Sequence, residues 1–458
     1  MIYGYPGSTN RYETSYGIKL KNEIENPSLV NLRDMRLKYM YEQMIKDPAV
    51  KLKLADNYAG VANYWKFFDG ETKQLKKFNT YEQKQDYENK FTSWAKGKSE
   101  YETLMAEYAQ NYAAWTPYSK LRQYMNEGVV GSPLIAHAAG LISLEDKLLK
   151  NNTPAADLKK ATDAATANRK GFLEHEDLPS DEKILAAVCM MFYNDIDKSQ
   201  HPIGFYEALK ANYGDLKDEA TYKKWAHDVF SKTMILDETK WNAFVANPDA
   251  AALQADPAFA FASAFVKNYN TKYAPLYTQF VNRNNELGRS YMKGIMEMNP
   301  AAVNKMYPDA NFSMRVSYGN VKSYRPRDAV FYDYVCTAKG ILEKYVPGDY
   351  EFDLPAKQIE LLKKRDFGQY IDKTKNDLVV TFITTNDITG GNSGSPVIDA
   401  NGNLLGLAFD GNYEALSHKI AFDKDLNRTI CVDVRYVLWC IDKLGGAKNI
   451  INELKLVK

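Results

Sequence analysis

The sequence predicts an α+β chain with more than one domain: a large all-α region followed by an antiparallel β region. Three observations carry this expectation. The 458 residues exceed what one ordinary hydrophobic core accommodates. From about residue 20 to 307, apolar residues recur at three- and four-residue steps. From about 308 onward, short alternating runs separated by Gly, Asn and Pro take over. The expected division is 1–18, a strand entering a turn-rich loop; 19–307, helical; and 308–458, β-rich with a helical tail.

Composition narrows the function classes. The 59 Lys and Arg nearly cancel the 58 Asp and Glu, so no net field favours nucleic acid. No apolar run reaches the length of a membrane span. The start, Met1-Ile2-Tyr3-Gly4-Tyr5-Pro6-Gly7, lacks the basic head and long apolar middle of a signal peptide. The 33 tyrosines are an excess that suits a large, partly polar cleft or interface. Cys189, Cys336, Cys431 and Cys440 are too few and too scattered for a disulfide framework or a zinc site, and read as buried free thiols.

Taken in order, residues 1–18 carry Tyr5-Pro6-Gly7 and Thr9-Asn10-Arg11-Tyr12, a loop. Tyr101, Leu104, Met105, Tyr108, Tyr112 and Trp115 lie on one helical face. Ser143 to Asp146 resembles a capping box. Thr153-Pro154 and Asp256-Pro257 each place a cap before a proline at the first helical position. Leu276, Phe280, Leu287, Tyr291 and Ile295 mark a long helix stopped near Pro300. Phe312, Met314, Val316 and Tyr318 then alternate with Ser313, Arg315 and Ser317, which is strand periodicity. Further strands are expected over 333–337, 378–384 and 429–434. A hairpin is expected from Val397 to Phe409, with a type I′ turn at Asn401-Gly402. Two short helices, about 435–444 and 447–455, close the chain.

The chemistry centres on Gly390-Gly391-Asn392-Ser393-Gly394-Ser395-Pro396. A serine hydroxyl becomes a nucleophile when a turn presents it and a base takes its proton. Glycine at 391 lets the backbone turn so that the N–H groups of Gly391 and Ser393 can face one oxyanion. A glycine-rich hairpin turn accounts for the heptapeptide equally well. Its form is that of the nucleophile loop of chymotrypsin-like peptidases.

The flanks extend the likeness. Thr389 to Val397, Gly406 to Asn412, Val432 to Tyr436, Gly4 to Gly7 with Asn10 to Tyr12, and Ala62 to Lys66 together resemble the dipeptidyl peptidase 7 and 11 family. That resemblance implies bacterial serine exopeptidases with a chymotrypsin-like double barrel and a large inserted helical lid. It covers the later two-thirds of the family's length. Residues 1–18 then correspond to the end of a first barrel, 19–307 to the lid, and 308–458 to half of the double barrel. The family's catalytic His and Asp lie upstream of the Gly4–Gly7 loop. None of His137, His175, His201, His227 and His418 sits in the family's histidine motif. His418 alone follows Ser393 in a loop, so it is the one candidate for a substitute base. The expectation is a C-terminal portion of a dipeptidyl peptidase, nearly inactive alone. A peptide-binding protein without turnover is the alternative.

The resemblance assigns further roles. Asp410 and Asn63 would hold the substrate's free amine, since an exopeptidase needs acceptors for an ammonium group. Asp-Gly is also an ordinary turn pair, and Asn63 an ordinary helix-surface amide. Trp65 suits either the cleft or the core. Family members that prefer an acidic residue before the cleaved bond (P1) place an Arg where this chain has Gly411. The neutral glycine favours a large hydrophobic P1, with Phe409 and Ile420 as candidate walls. A turn requiring positive φ explains Gly411 as well. No metal or cofactor is implied. A homodimer in the periplasm or at the cell surface is.

Overall fold

In the computed structural model, which describes all residues except Asn151, Tyr350 and Lys458, the chain divides into two units. One comprises Met1–Glu13, Lys73–Thr80 and Pro300–Lys458; the other comprises Thr14–Thr72 and Tyr81–Asn299.

The second unit is helical. The aromatic stripe read from the sequence lies on the helix Leu104–Gln123, and its Tyr108, Tyr112 and Trp115 are buried. Trp115 stacks on Phe280 at 5.8 Å, and Tyr291 meets Phe91 edge-on at 5.0 Å. Both partners come from the long helix pattern or its neighbour, helices Ala274–Met298 and Thr80–Ala95. Eight of the 33 tyrosines are buried in this unit. Tyr206 and Tyr222 are buried with their hydroxyls donating to the carbonyls of Cys189 and Leu216, each at 2.9 Å. A buried phenol needs such a partner, and these have one.

Of the expected caps, Asp256 holds. Its carboxylate accepts from the N–H groups of Ala258 and Phe259, both at 3.0 Å, with Pro257 at the first helical position. It also accepts from Thr233 and the Met234 N–H. The other two fail. Thr153 donates its hydroxyl to the Lys147 carbonyl, and the helix begins at Ala155 after Pro154. Ser143 lies inside the helix Ile142–Leu148, which follows Leu141, so it cannot serve as the cap of a box closed by Asp146.

Asp181 is fully buried in the first turn of the helix Leu178–Asp195 and accepts the Leu134 N–H at 2.8 Å. Burial pushes its carboxyl above the ordinary carboxylate range. Burial, with Asp181 nearby, does the same to Glu176.

The first unit holds nine described strands: β1 Ile2–Gly4, β2 Arg315–Ser317, β3 Tyr324–Arg327, β4 Val330–Tyr332, β5 Val335–Thr337, β6 Val379–Thr384, β7 Pro396–Ile398, β8 Leu404–Gly411 and β9 Thr429–Asp433. Seven form one antiparallel sheet in the order β2-β1-β7-β8-β9-β6-β5. The closed half-barrel expected from the sequence is not formed. Among the described residues β2 pairs only with β1 and β5 only with β6, and the intervening β3 and β4 pair with each other. The strand expected over Phe312 to Tyr318 shrinks to β2, whose neighbour Phe312 has a left-handed φ of 63°.

The hairpin β7–β8 is present with a different turn. Only Gly402 has positive φ there, whereas a type I′ turn needs it at both central residues. Asp399 closes the loop instead, accepting the N–H groups of Asn401 and Asn403 at 2.8 Å. One sheet face buries Ile2, Phe382, Val397, Ala408 and Cys431. Trp439 and Leu438, from the helix Val434–Trp439, bury Phe367, Tyr370 and Leu378 in a second cluster. Asp433 starts that helix by accepting the Arg435 N–H at 2.8 Å. Cys189 and Cys431 are buried free thiols, but Cys336 is exposed on edge strand β5 and Cys440 half-buried.

Candidate active site

The segment between β6 and β7 folds back on itself through Asn392. Its side-chain oxygen accepts the Thr389 N–H at 3.1 Å, its N–H donates to the Thr389 carbonyl at 3.0 Å, and its carbonyl accepts from Ser395 at 2.9 Å. Asn392 is buried, so these bonds replace water that cannot reach it. Two more fasten the turn to β8: Gly394 N–H to the Ala408 carbonyl at 2.7 Å, and Ala408 N–H to the Ser395 carbonyl at 2.9 Å.

Glycine is required at 391. Its φ is +107°, and a Cβ there would collide with the Tyr5 carbonyl oxygen. The segment Gly4–Gly7 forms the wall behind this turn. Gly7 N–H donates to the Gly390 carbonyl at 2.7 Å, and a Cβ on Gly4 would strike the side chains of Ser395 and Asn392.

The result is an exposed Ser393 at the tip of a hydrogen-bonded turn anchored by the buried Asn392 and Ser395. Its hydroxyl donates to the Phe409 carbonyl at 3.3 Å. A carbonyl accepts a hydrogen bond but takes no proton, so this contact orients the hydroxyl without activating it. Among the described residues, the N–H groups of Gly391 and Ser393 donate to no protein acceptor.

Phe409 owes its position to a bulge. Ala408 pairs with Cys431 and Asp410 with Ile430, which leaves Phe409 as an extra residue in β8. Beyond it, Asp410 is exposed, and one carboxylate oxygen accepts the Gly411 N–H at 2.7 Å. Gly411 pairs with Thr429 in the ladder and lacks positive φ, so a turn requirement does not explain it. A Cβ at 411 would sit 3.2 Å from the Cβ of Ala415, tight but open to small adjustment. Phe409 is partly exposed, whereas Ile420 is buried and offers almost no surface for a pocket wall.

His418 is poorly suited to act as a base. Its Nδ1 is bonded to the Ala415 carbonyl, and its Nε2 is buried without a partner. Burial lowers its pKa to about 4. His137, His175, His201 and His227 belong to the helical unit. There His137 stacks on Phe172, His201 bonds the Ile196 carbonyl and His227 meets Glu182. Asn63 is exposed and Trp65 half-buried on the helix Pro48–Lys77, also within the helical unit. Thus Gly391, Ser393, Asp410 and Gly411 share one unit, and Asn63 lies in the other.

Sequence reading passed over the polar cluster next to Gly411. Asn412, Glu414 and Arg428 are buried and bonded to one another and to Tyr324. Nothing local in the sequence singles it out, since Glu414 and Arg428 are two of six charged residues in the loop-like stretch 412–428.

Residues 1–456 match the family model Peptidase S46. An Asp/Glu-specific dipeptidyl-peptidase of Flavobacterium psychrophilum is 38% identical across the whole chain, and a dipeptidyl-peptidase 7 of Capnocytophaga gingivalis is 35% identical; each alignment covers 63% of the relative. The crystal structure of Porphyromonas endodontalis DPP11 in complex with the dipeptide Arg-Glu superposes with a TM-score of 0.87 at 25% identity, over 99% of this chain and 63% of that one. The chain therefore spans less than two-thirds of the length of these relatives.

Proposed function

Since the chain belongs to the Peptidase S46 family, we propose that it is the nucleophile-bearing portion of a serine-type dipeptidyl peptidase that releases dipeptides from free peptide N-termini. The observation that carries this is Ser393, exposed on a turn whose two free N–H donors flank it. Ser393 Oγ attacks the carbonyl carbon of the second substrate residue. Its proton passes to a base and then to the departing amine. The Gly391 and Ser393 N–H groups receive the developing oxyanion. Water afterwards hydrolyses the acyl-serine and frees the dipeptide.

Asp410 holds the substrate ammonium. The base is none of the five histidines; it belongs to the part of the family's sequence outside these 458 residues. On this reading the chain alone turns over slowly or not at all, because removing the base of such a site costs on the order of 10⁶ in turnover. The enzyme is a homodimer of the periplasm or cell surface.

Gly411 supports a large hydrophobic P1, since it brings neither side chain nor charge to that position. The relatives give no support to this preference, as the Flavobacterium relative is named Asp/Glu-specific. The bond from Ser393 to the Phe409 carbonyl, with no base engaged, favours a second reading: a protein that binds free N-termini without cleaving them.

Dipeptide release from fluorogenic substrates with Leu, Phe or Glu at P1, free or acetylated at the N-terminus, tests both readings. Turnover that disappears in Ser393→Ala establishes the peptidase and refutes the missing base. Binding of the free-amine peptide without turnover supports the incomplete site. Indifference to N-acetylation overturns the exopeptidase reading.

A further inference from the structure

The bulge that aims the Phe409 carbonyl at Ser393 also decides which residue of β8 faces the substrate space. A strand that slips by one residue turns every side chain to the opposite face, and a bulge is a point where slipping is easy. After Phe409 the ladder has only two more pairs, Asp410 with Ile430 and Gly411 with Thr429. Beyond these, residues 412–428 form a long connection without a strand.

Asn412 closes this connection. Its N–H donates to the Arg428 carbonyl at 3.0 Å, and its side-chain oxygen accepts the Arg428 N–H at 2.8 Å. The side chain thus supplies the acceptor that a further backbone rung would have supplied. Its amide NH₂ donates to Glu414 Oε2 and to the Leu426 carbonyl, each at 2.9 Å. Glu414 also accepts the Tyr324 hydroxyl at 2.8 Å.

Arg428 completes the neck. Among the described residues its buried guanidinium makes no ion pair; it donates instead to the carbonyls of Lys322, Ser323, Lys424 and Asn427. The side chains of Asn412, Glu414 and Arg428 are each more than nine-tenths buried. An amide with three partners in so dry a place has one low-energy arrangement, and that arrangement admits one register of β8 against β9.

We infer that Asn412 is a positioning residue: with Glu414 and Arg428 it locks the register after the Phe409 bulge, so that the Asp410 carboxylate stays at the mouth of the site and the Phe409 carbonyl stays on Ser393. The inference rests on the proposed role of Asp410 in binding a free amine. It adds that amine recognition depends on a buried amide that never touches the substrate.

The test is anisotropy of a pentapeptide labelled at its C-terminus, with its N-terminus free or acetylated, against the full chain. Asp410→Asn checks the underlying reading. If the wild type prefers the free amine and Asp410→Asn does not, the reading stands; if Asp410→Asn keeps the preference, the reading fails and the inference fails with it. Given the reading, Asn412→Ala is expected to lose at least tenfold in affinity for the free-amine peptide with the acetylated peptide unaffected. Equal losses for both peptides, or no loss, overturn the inference.

Should Asn412→Ala fail to fold, Glu414→Ala and Glu414→Gln decide. Gln still offers Asn412 an acceptor, so it should lose less of the preference than Ala; equal values overturn the inference. Tyr413→Ala, exposed in the same connection and outside the clamp, should bind as wild type does.

Discussion

A methyl group at residue 391 would point into the carbonyl oxygen of Tyr5, on a backbone already at φ +107°. Gly391→Ala should therefore destabilise the first unit by about 1–3 kcal/mol, read as a lower urea midpoint. Its effect on any Ser393 reactivity should exceed what that loss of stability explains, because the N–H it carries is one of the two proposed to meet the oxyanion. His418 makes a second prediction at this scale. Its ring proton signals should titrate with a midpoint near pH 4, well below an ordinary imidazole, since burial disfavours the charged form. A midpoint near 6.5 would place the ring in solvent and reopen its candidacy as a base.

Among elements, caps and turns separate what was legible from what was not. Asp256 reads as a cap because aspartate before proline has few other uses, and the structure adds Thr233 and Met234 as further donors. Asp256→Ala should cost at least the ~1–2 kcal/mol of a lost cap, with buried donors stranded besides, measured as a drop in melting temperature. Ser143 and Thr153 carry the same local signal and cap nothing: Ser143 already lies within the helix Ile142–Leu148, and Thr153 gives its hydroxyl to the Lys147 carbonyl. The Asn401-Gly402 hairpin was placed correctly and its turn was not: Asp399, two residues earlier, captures the N–H groups that a type I′ turn leaves alone. Strands β6, β8 and β9 were visible as apolar runs. The bulge at Phe409 and the clamp at Asn412 were not, since both depend on register against β9, a property of two segments together.

For the whole molecule, the buried acids of the helical unit set a pH dependence. Asp181 and Glu176 are held above the ordinary carboxylate range by burial, so the folded state keeps protons that the unfolded chain has released. Their contribution is fully present below the unfolded carboxylate pKa, near 4, and is lost as pH rises through their raised folded values. Arg36 nearby opposes the effect at Asp181 and the Asp177 charge reinforces it, whereas at Glu176 the Asp177 backbone N–H opposes it more than the Asp177 charge adds to it. Thermal melts should show the helical unit less stable at pH 8 than at pH 5. Asp181→Asn should flatten that slope; an unchanged slope would assign it to other groups. Among the described residues no single helix is long and apolar enough to cross a membrane.

Ile2 pairs with Val397, and Gly7 with Gly390. Nearly four hundred residues separate the two halves of this wall, and the second half is made last. During synthesis the turn around Ser393 has nothing to lean on until the ribosome has released it and the N-terminal strand has found it. At 5–20 residues per second, the early segment waits roughly 20–80 seconds for its partner. The wall behind Ser393 is thus incomplete for most of the chain's synthesis, and any fragment that ends before β7 lacks the Ile2–Val397 pairing.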